Sequence, residues 1–326
     1  MALGLNYQEP SGKGSRPMIT YRELSKRARV FKSLTGVTVA EFDELYAKVQ
    51  PIWFTNEIKR LSQRERKRAI GGGRDYTLEL RERLLMTIVW LKLYLTVDAL
   101  GFFFGVSGST ASRNTRNILP VLRQLGDETL GWPDPPKRGQ GKNIEQALQA
   151  YPDLLAIVDA TEQRVRRSSD AQTQREHYSG KKKCHTRKTQ IVVNEQGQIR
   201  DVSFSTPGRV HDLEHFRQSD TAQKIPKQVG VAGDAGYQGL HNELPDHSVG
   251  TAHKARRNHP LTEDEKAINR EFSSMRIIVE NTICELKHFR ALSECFRHVV
   301  DRYDETFRAV VAIVNPRIAR RVAVLT

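Results

Sequence analysis

The chain has 326 residues, with 52 Lys and Arg against 38 Asp and Glu, a formal net charge of +14. Charged residues at 28% exclude a multi-span membrane protein, and 38% apolar residues exclude a wholly disordered chain. Cys184, Cys284 and Cys295 cannot all pair and form no C-x-x-C, so neither a disulfide framework nor a zinc cage is indicated and a reducing compartment is expected. The length predicts two domains, and the surplus positive charge predicts a phosphate-bearing partner.

In chain order, residues 1–16 read as a flexible tail without the apolar core of a secretory signal. Residues 17–130 read as an all-α region of short amphipathic helices. Thr38 is placed to cap a helix carrying Phe42, Leu45, Tyr46 and Val49 at helical spacing. A basic run with three glycines follows at 60–74. Residues 84–106 are long enough to span a bilayer, but Lys92 and Asp98 sit inside them. Centring either charge in lipid costs roughly 2.5–3.5 kcal/mol, so two buried helices and no membrane partner are expected. Three prolines and three glycines between 131 and 143 mark a linker.

Residues 97–119, VDALGFFFGVSGSTASRNTRNIL, have the pattern of a helix-turn-helix with Gly105 in the turn, the motif spanning about 96–119. Ser109, Thr110, Ser112, Arg113, Asn114 and Arg116 give the second helix donors suited to phosphates and base edges. An ordinary helical hairpin with a polar outer face fits the same residues. The region before residue 150 holds 24 basic against 15 acidic side chains, which favours nucleic acid.

From 144 to 326 the texture is α/β. Residues 154–158 form an apolar run expected to be a strand ending at Asp159, and 229–232 a second strand ending just before Gly233-Asp234. Residues 188–193 and 199–204 flank a turn with Gly197 and read as a hairpin. The order implies a mixed sheet. Residues 164–188 hold nine Lys and Arg, Lys181, Lys182 and Lys183 among them, and read as a β-hairpin arm along DNA or a solvated loop. Asp212 reads as a helix N-cap in preference to a fourth ligand, and Cys284 as a small core residue.

Acidic residues at strand ends are natural ligand positions in α/β folds. Cutting a phosphodiester with Mg²⁺ calls for two or three such carboxylates converging from rigid elements. Asp159 and Asp234 meet that description. On a helix over 275–292, Arg276 and Lys287 fall within about 40° of Glu280, at about 100° per residue. That face also suits a solvated i, i+4 salt-bridge stripe.

The stretches VDATEQRVRRS (158–168), HYSGKKKCHTRKTQIVVN (177–194), GRVHDLEHF (208–216), GDAGYQGL (233–240) and RIIVENTICELKHF (276–289) resemble DDE transposases of the bacterial insertion-sequence-5 group, relatives of the Harbinger-type nucleases. VSGSTASRNTRNILPVL (106–122) is similar to the helix-turn-helix of those proteins. The resemblance covers about residues 75–295 and implies an RNase H-like catalytic domain whose Asp159, Asp234 and Glu280 form the catalytic and metal-binding triad for two Mg²⁺ or Mn²⁺ ions. Arg276 and Lys287 meet the family signature Y-x2-R-x3-E-x6-K, but Ser273 stands at the tyrosine position. The implied reaction is cleavage at transposon terminal inverted repeats and transfer of the 3′-OH ends to target DNA. The implied partners are double-stranded DNA and further copies of the chain, in a dimer or larger synapse. The implied setting is a bacterial cytoplasm, associated with the nucleoid. A domesticated DNA-binding protein that no longer cuts, or a host endonuclease that does not join, is the alternative.

Overall fold

The computed structural model describes residues 17–63, 76–133, 154–253 and 261–325. The expected tail, most of the basic run at 60–74 and most of the linker lie outside these residues. Two compact units emerge, and neither is continuous in sequence. Described residues up to Gly126, with His288–Ala291 and Glu305–Ile313, make the first; Asp127–Lys287, Leu292–Asp304 and the chain from Val314 make the second.

The first unit is helical: α1 (Tyr21–Leu24), α2 (Ala28–Thr35), α3 (Val39–Ser62), α4 (Leu80–Leu93), α5 (Val97–Phe103) and most of α6 (Gly108–Glu128). Thr38 caps α3 in a reciprocal box, its hydroxyl accepting from the Glu41 N–H while the Glu41 carboxylate accepts from the Thr38 N–H. In place of the expected run of short helices, α3 continues for 24 residues through Pro51. Helix α4 is its centre, with Leu84 to Leu91 all buried. A helix apolar all round must be enclosed on every side. Tyr94, in the left-handed region at φ 53°, ends α4, and Thr96 caps α5. The apolar stretch at 84–106 is therefore divided between helices of 14 and 7 residues. No helix among the described residues is long and apolar enough to cross a membrane.

Arg83 is the buried charge of this core. Its guanidinium lies 4.2 Å from the Trp53 ring centroid and 4.1 Å from that of Tyr76. Its Nε donates to Asn114 Oδ1 at 2.8 Å, and Asn114 Nδ2 donates back to the Arg83 carbonyl at 2.9 Å. Asn114 is thus a core residue rather than a member of the outer face of α6, where the sequence reading set it. A buried arginine needs acceptors, and the inward-turned amide supplies one. Asn114→Ala is expected to cost about 2–3 kcal/mol by leaving that guanidinium short of an acceptor. Urea unfolding of the variant measures this, with DNA affinity at low temperature unchanged; weakened binding at unaltered stability would contradict it.

The second unit is built on a mixed sheet. Its strands are β1 (Leu155–Arg164), β2 (Tyr178–Ser179), β3 (Cys184–Val193), β4 (Ile199–Val202), β5 (Thr206–Pro207), β6 (Gly230–Gly233) and β7 (Val249–Thr251). β1 is central, antiparallel to β3 on one side and parallel to β6 on the other. β4 extends the sheet beyond β3, and β7 runs parallel to β6. The order β4-β3-β1-β6-β7 is that of an RNase H-like domain, as the resemblance implies. The β3–β4 turn is closed by Asn194, whose Oδ1 accepts from the N–H groups of Gln196 and Gln198.

Ala156, Val158, Val192 and Val231 pack on one face against Leu213 and Phe216 of α8 (Asp212–Gln218, following α7 at Ala171–His177). They also meet Leu240 of α10 (Leu240–Glu243, following α9 at Thr221–Lys224). Helix α11 (Glu263–Lys287) packs on β1 and β3, and its Thr282 hydroxyl donates to the Gly197 carbonyl. After it come α12 (Arg290–Ser293) and α13 (Tyr303–Leu325), with Pro316 inside the latter.

Candidate active site

The site grows from the place where two strand pairings part. The parallel β1–β6 ladder ends at the pair Val158–Gly233, while the antiparallel β1–β3 ladder continues to Arg164–Thr186. Asp159 and Asp234 are the next residues along β1 and β6. They stand side by side at the level where β6 leaves the sheet. Asp159 is therefore within a strand, not at its end. The continuation 160–164 escaped the apolar pattern because its buried residues, Thr161 and Gln163, are polar.

Asp234 leaves β6 into a short 3₁₀ turn, Ala235–Tyr237, and caps it: its Oδ1 accepts from the Gly236 N–H at 2.7 Å. A Cβ on Gly236 would lie 2.7 Å from Asp212 Oδ2 and 2.9 Å from Asp234 Oδ1. Only glycine leaves both carboxylates where they are.

Burial pushes the Asp159 carboxyl up to about 6, and the charges of Asp234 and Asp212 push the same way. The Ala160 N–H, donating to Asp159 Oδ1 at 2.7 Å, and the Arg276 charge oppose them. The phenol of Tyr237, wholly enclosed, is pushed far up by its burial and then by Asp212, Asp159 and Asp234. Three aspartates thus share one neighbourhood.

On α11, the side chain of Glu280 is half exposed and accepts from Arg276 Nη2 at 2.8 Å. Among the described residues no group of three or more His, Cys, Asp or Glu side chains gathers as metal ligands do. The structure brings Asp159 and Asp234 together, with Arg276 and Lys287 in electrostatic range. It leaves the Glu280 carboxylate with its arginine. Burial lowers the Lys287 ammonium, and Lys182 lowers it further, against the pull of Asp159 and Glu162. Cys284 is exposed, not a core residue. Arg321 pairs with Glu285 at 2.7 Å.

Lys181, Lys182 and Lys183 are exposed on a tight turn between β2 and β3, closed by the Lys183 N–H on the Ser179 carbonyl at 2.8 Å. The expected hairpin arm is in fact β1 and β3 paired directly, with α7 and β2 in their connection. In the first unit, α5 and α6 meet through a turn in which Gly105 takes φ +66°, and the Ser107 hydroxyl caps α6 by accepting from the Thr110 N–H. Ser109, Arg113 and Arg116 are exposed on α6, and Thr110 and Ser112 half-buried.

Asp212 also departs from the sequence reading. Asp212 does not cap α8; His211 holds that position, and Asp212 Oδ1 accepts from Lys188 Nζ at 2.6 Å. The signal was Lys188 itself. It lies four residues before the core residue Val192 and so shares its inward face of β3, where a lysine requires a buried partner.

Hard carboxylate oxygens short of positive charge are the donor set that a Mg²⁺-like dication takes, commonly one or two carboxylates completed by water and phosphate. Asp159 and Asp234 fit it. The raised Asp159 carboxyl also has a consequence for stability. Folded protein holds that proton up to about pH 6 and unfolded chain only to about 3.8. Stability is therefore lost as pH rises through this window. Asp159→Asn is expected to stabilise the metal-free protein by about 3 kcal/mol above pH 6, with the gain gone below pH 4. Thermal unfolding in EDTA across that range measures it; a pH-independent difference would contradict the assignment.

Residues 158–315 match the family model of the DDE superfamily endonuclease, and residues 76–128 that of the helix-turn-helix of DDE superfamily endonuclease. The chain is similar to a probable transposase for insertion sequence element IS702 of Microchaete diplosiphon. The two are 26% identical over 293 residues, which span 90% of this chain and 95% of that protein. No solved structure matches the chain significantly.

Proposed function

The chain belongs to the DDE superfamily of transposases, and from that premise we propose that it binds the terminal inverted repeats of its element, cuts there and joins the freed 3′-OH ends to target DNA. The observation that carries the reading is the Asp159–Asp234 pair, set side by side on parallel strands and short of positive charge.

Asp159 and Asp234 hold the divalent cation, Mg²⁺ or Mn²⁺, and the two-ion form of the chemistry takes Glu280 as its third carboxylate. When bound, the cations supply positive charge at the scissile phosphate and lower the pKa of the attacking oxygen. Everything else falls to the chain's own side chains. Lys287, beside Asp159 and Lys182, neutralises a backbone phosphate rather than serving as acid or base. Arg276 exchanges Glu280 for a DNA phosphate, which frees the carboxylate to turn toward the aspartates. Lys181, Lys182 and Lys183 follow the backbone next to the cut. Ser109, Thr110, Ser112, Arg113 and Arg116 hold the terminal repeat through phosphates and base edges. The residues around α6 thus read DNA and the sheet cuts it. Two ends must be cut and joined together, so the working form is a homodimer or larger synapse.

Cleavage and strand transfer on the element's own terminal DNA, with Mg²⁺, Mn²⁺ or EDTA, test this. Asp234→Asn and Glu280→Gln are expected to lower nicking and joining by at least about a thousandfold (about 4 kcal/mol in the barrier) with end binding within a few-fold of wild type. Nicking without joining in the unaltered protein would make it an endonuclease. Tight end binding with no cut under any cation would make it a DNA-binding protein.

A further inference from the structure

Lys188 and Asp212 form an ion pair beside the two aspartates, and the reaction as described makes no use of it. The Lys188 side chain is 8% exposed, and its Nζ donates to Asp212 Oδ1 and to the Val210 carbonyl, both at 2.6 Å. A lysine is so enclosed only when something nearby requires its charge. Asp212 faces two ways. One oxygen meets Lys188, and the other approaches the space over Gly236 that Asp234 Oδ1 approaches from its own side. The spacing leaves no room for a Cβ at Gly236.

We propose that Lys188 and Asp212 are a positioning pair that sets how tightly Asp159 and Asp234 hold a divalent cation. Asp212 adds a third negative charge next to them, and Lys188 cancels it. The inference rests on the reading of Asp159 and Asp234 as cation-holding residues. It adds to that reading two residues with opposite effects. With the pair intact, the site presents the charge of two carboxylates. Without Lys188 it presents three, and without Asp212 it presents two carboxylates opposed by a buried ammonium. A dication responds to each change with twice the energy of a single charge.

Mn²⁺ binding to the full-length protein without DNA, followed by loss of the free-ion signal in electron paramagnetic resonance, tests the pair. Lys188→Met is expected to tighten Mn²⁺ binding by about tenfold and Asp212→Asn to weaken it by about tenfold, by Coulomb interaction through a partly solvated protein. The double variant, with no charge at either position, is expected within about threefold of wild type. A pair serving only packing would weaken binding in both single variants, and that result, or no change in either, overturns the proposal. If Lys188→Met does not fold, Asp212→Asn and the double variant decide: affinity lost in the first and recovered in the second supports the pair, and affinity not recovered overturns it. Asp159→Asn separates the two layers. Unchanged Mn²⁺ binding in that variant overturns the reading beneath the proposal. Lost binding there, with both single variants weakened, overturns the pair alone.

Discussion

Two carboxylates at the same level on neighbouring strands repel each other, and partial burial removes the water that would screen them. Asp159 and Asp234 are held in that arrangement by the sheet itself. β1 is committed to β3 on one side while β6 departs on the other, so backbone hydrogen bonds fix both positions irrespective of the repulsion. The cost appears in Asp159, whose carboxyl is pushed up to about 6 by its burial first and by the Asp234 charge after it. A carboxylate kept short of positive charge by a rigid frame is disposed toward cations and toward the charges that accompany nucleic acid. The surrounding side chains answer the same demand: a backbone N–H at Asp159, the Gly236 N–H at Asp234, and Lys188 at Asp212.

The helical unit addresses an equivalent problem with the opposite sign. Arg83 is enclosed and met by two aromatic faces and the Asn114 amide, with the Glu57 carboxylate acting on it from beyond Tyr76. This fixes α4 against α6, the helix that carries the exposed Ser109, Arg113 and Arg116. The face of α6 is therefore oriented from within. Asn114 points inward while Ser109, Arg113 and Arg116 stay exposed.

Much of this was legible in the sequence where chemistry and periodicity coincide. The Thr38 cap, the turn at Gly105, the Asn194–Gly197 turn and the apolar runs at 154–158 and 229–232 all have local signals, and the structure has the cap, both turns and strands β1 and β6 over those runs. The misjudged residues depend on partners far away in the chain. Asn114 is buried because of Arg83, 31 residues earlier, and Asp212 is engaged because of Lys188, 24 residues earlier. Thr161 and Gln163 lie in a strand that no apolar pattern marks. Glu280 has the expected helical face, but periodicity does not say whether a carboxylate turns to the sheet or to the arginine one turn away. The compact units, which recruit residues 288–291 and 305–313 to the helical part, reflect contacts that no linker composition reveals.

Anomalous diffraction from crystals of the full chain with its terminal DNA, soaked in Mn²⁺, tests the central claim most directly. The account predicts a Mn²⁺ peak shared by the carboxylates of Asp159 and Asp234, lost in an Asp159→Asn crystal. A peak elsewhere on the chain, with both aspartates unengaged while DNA is cut, would contradict it.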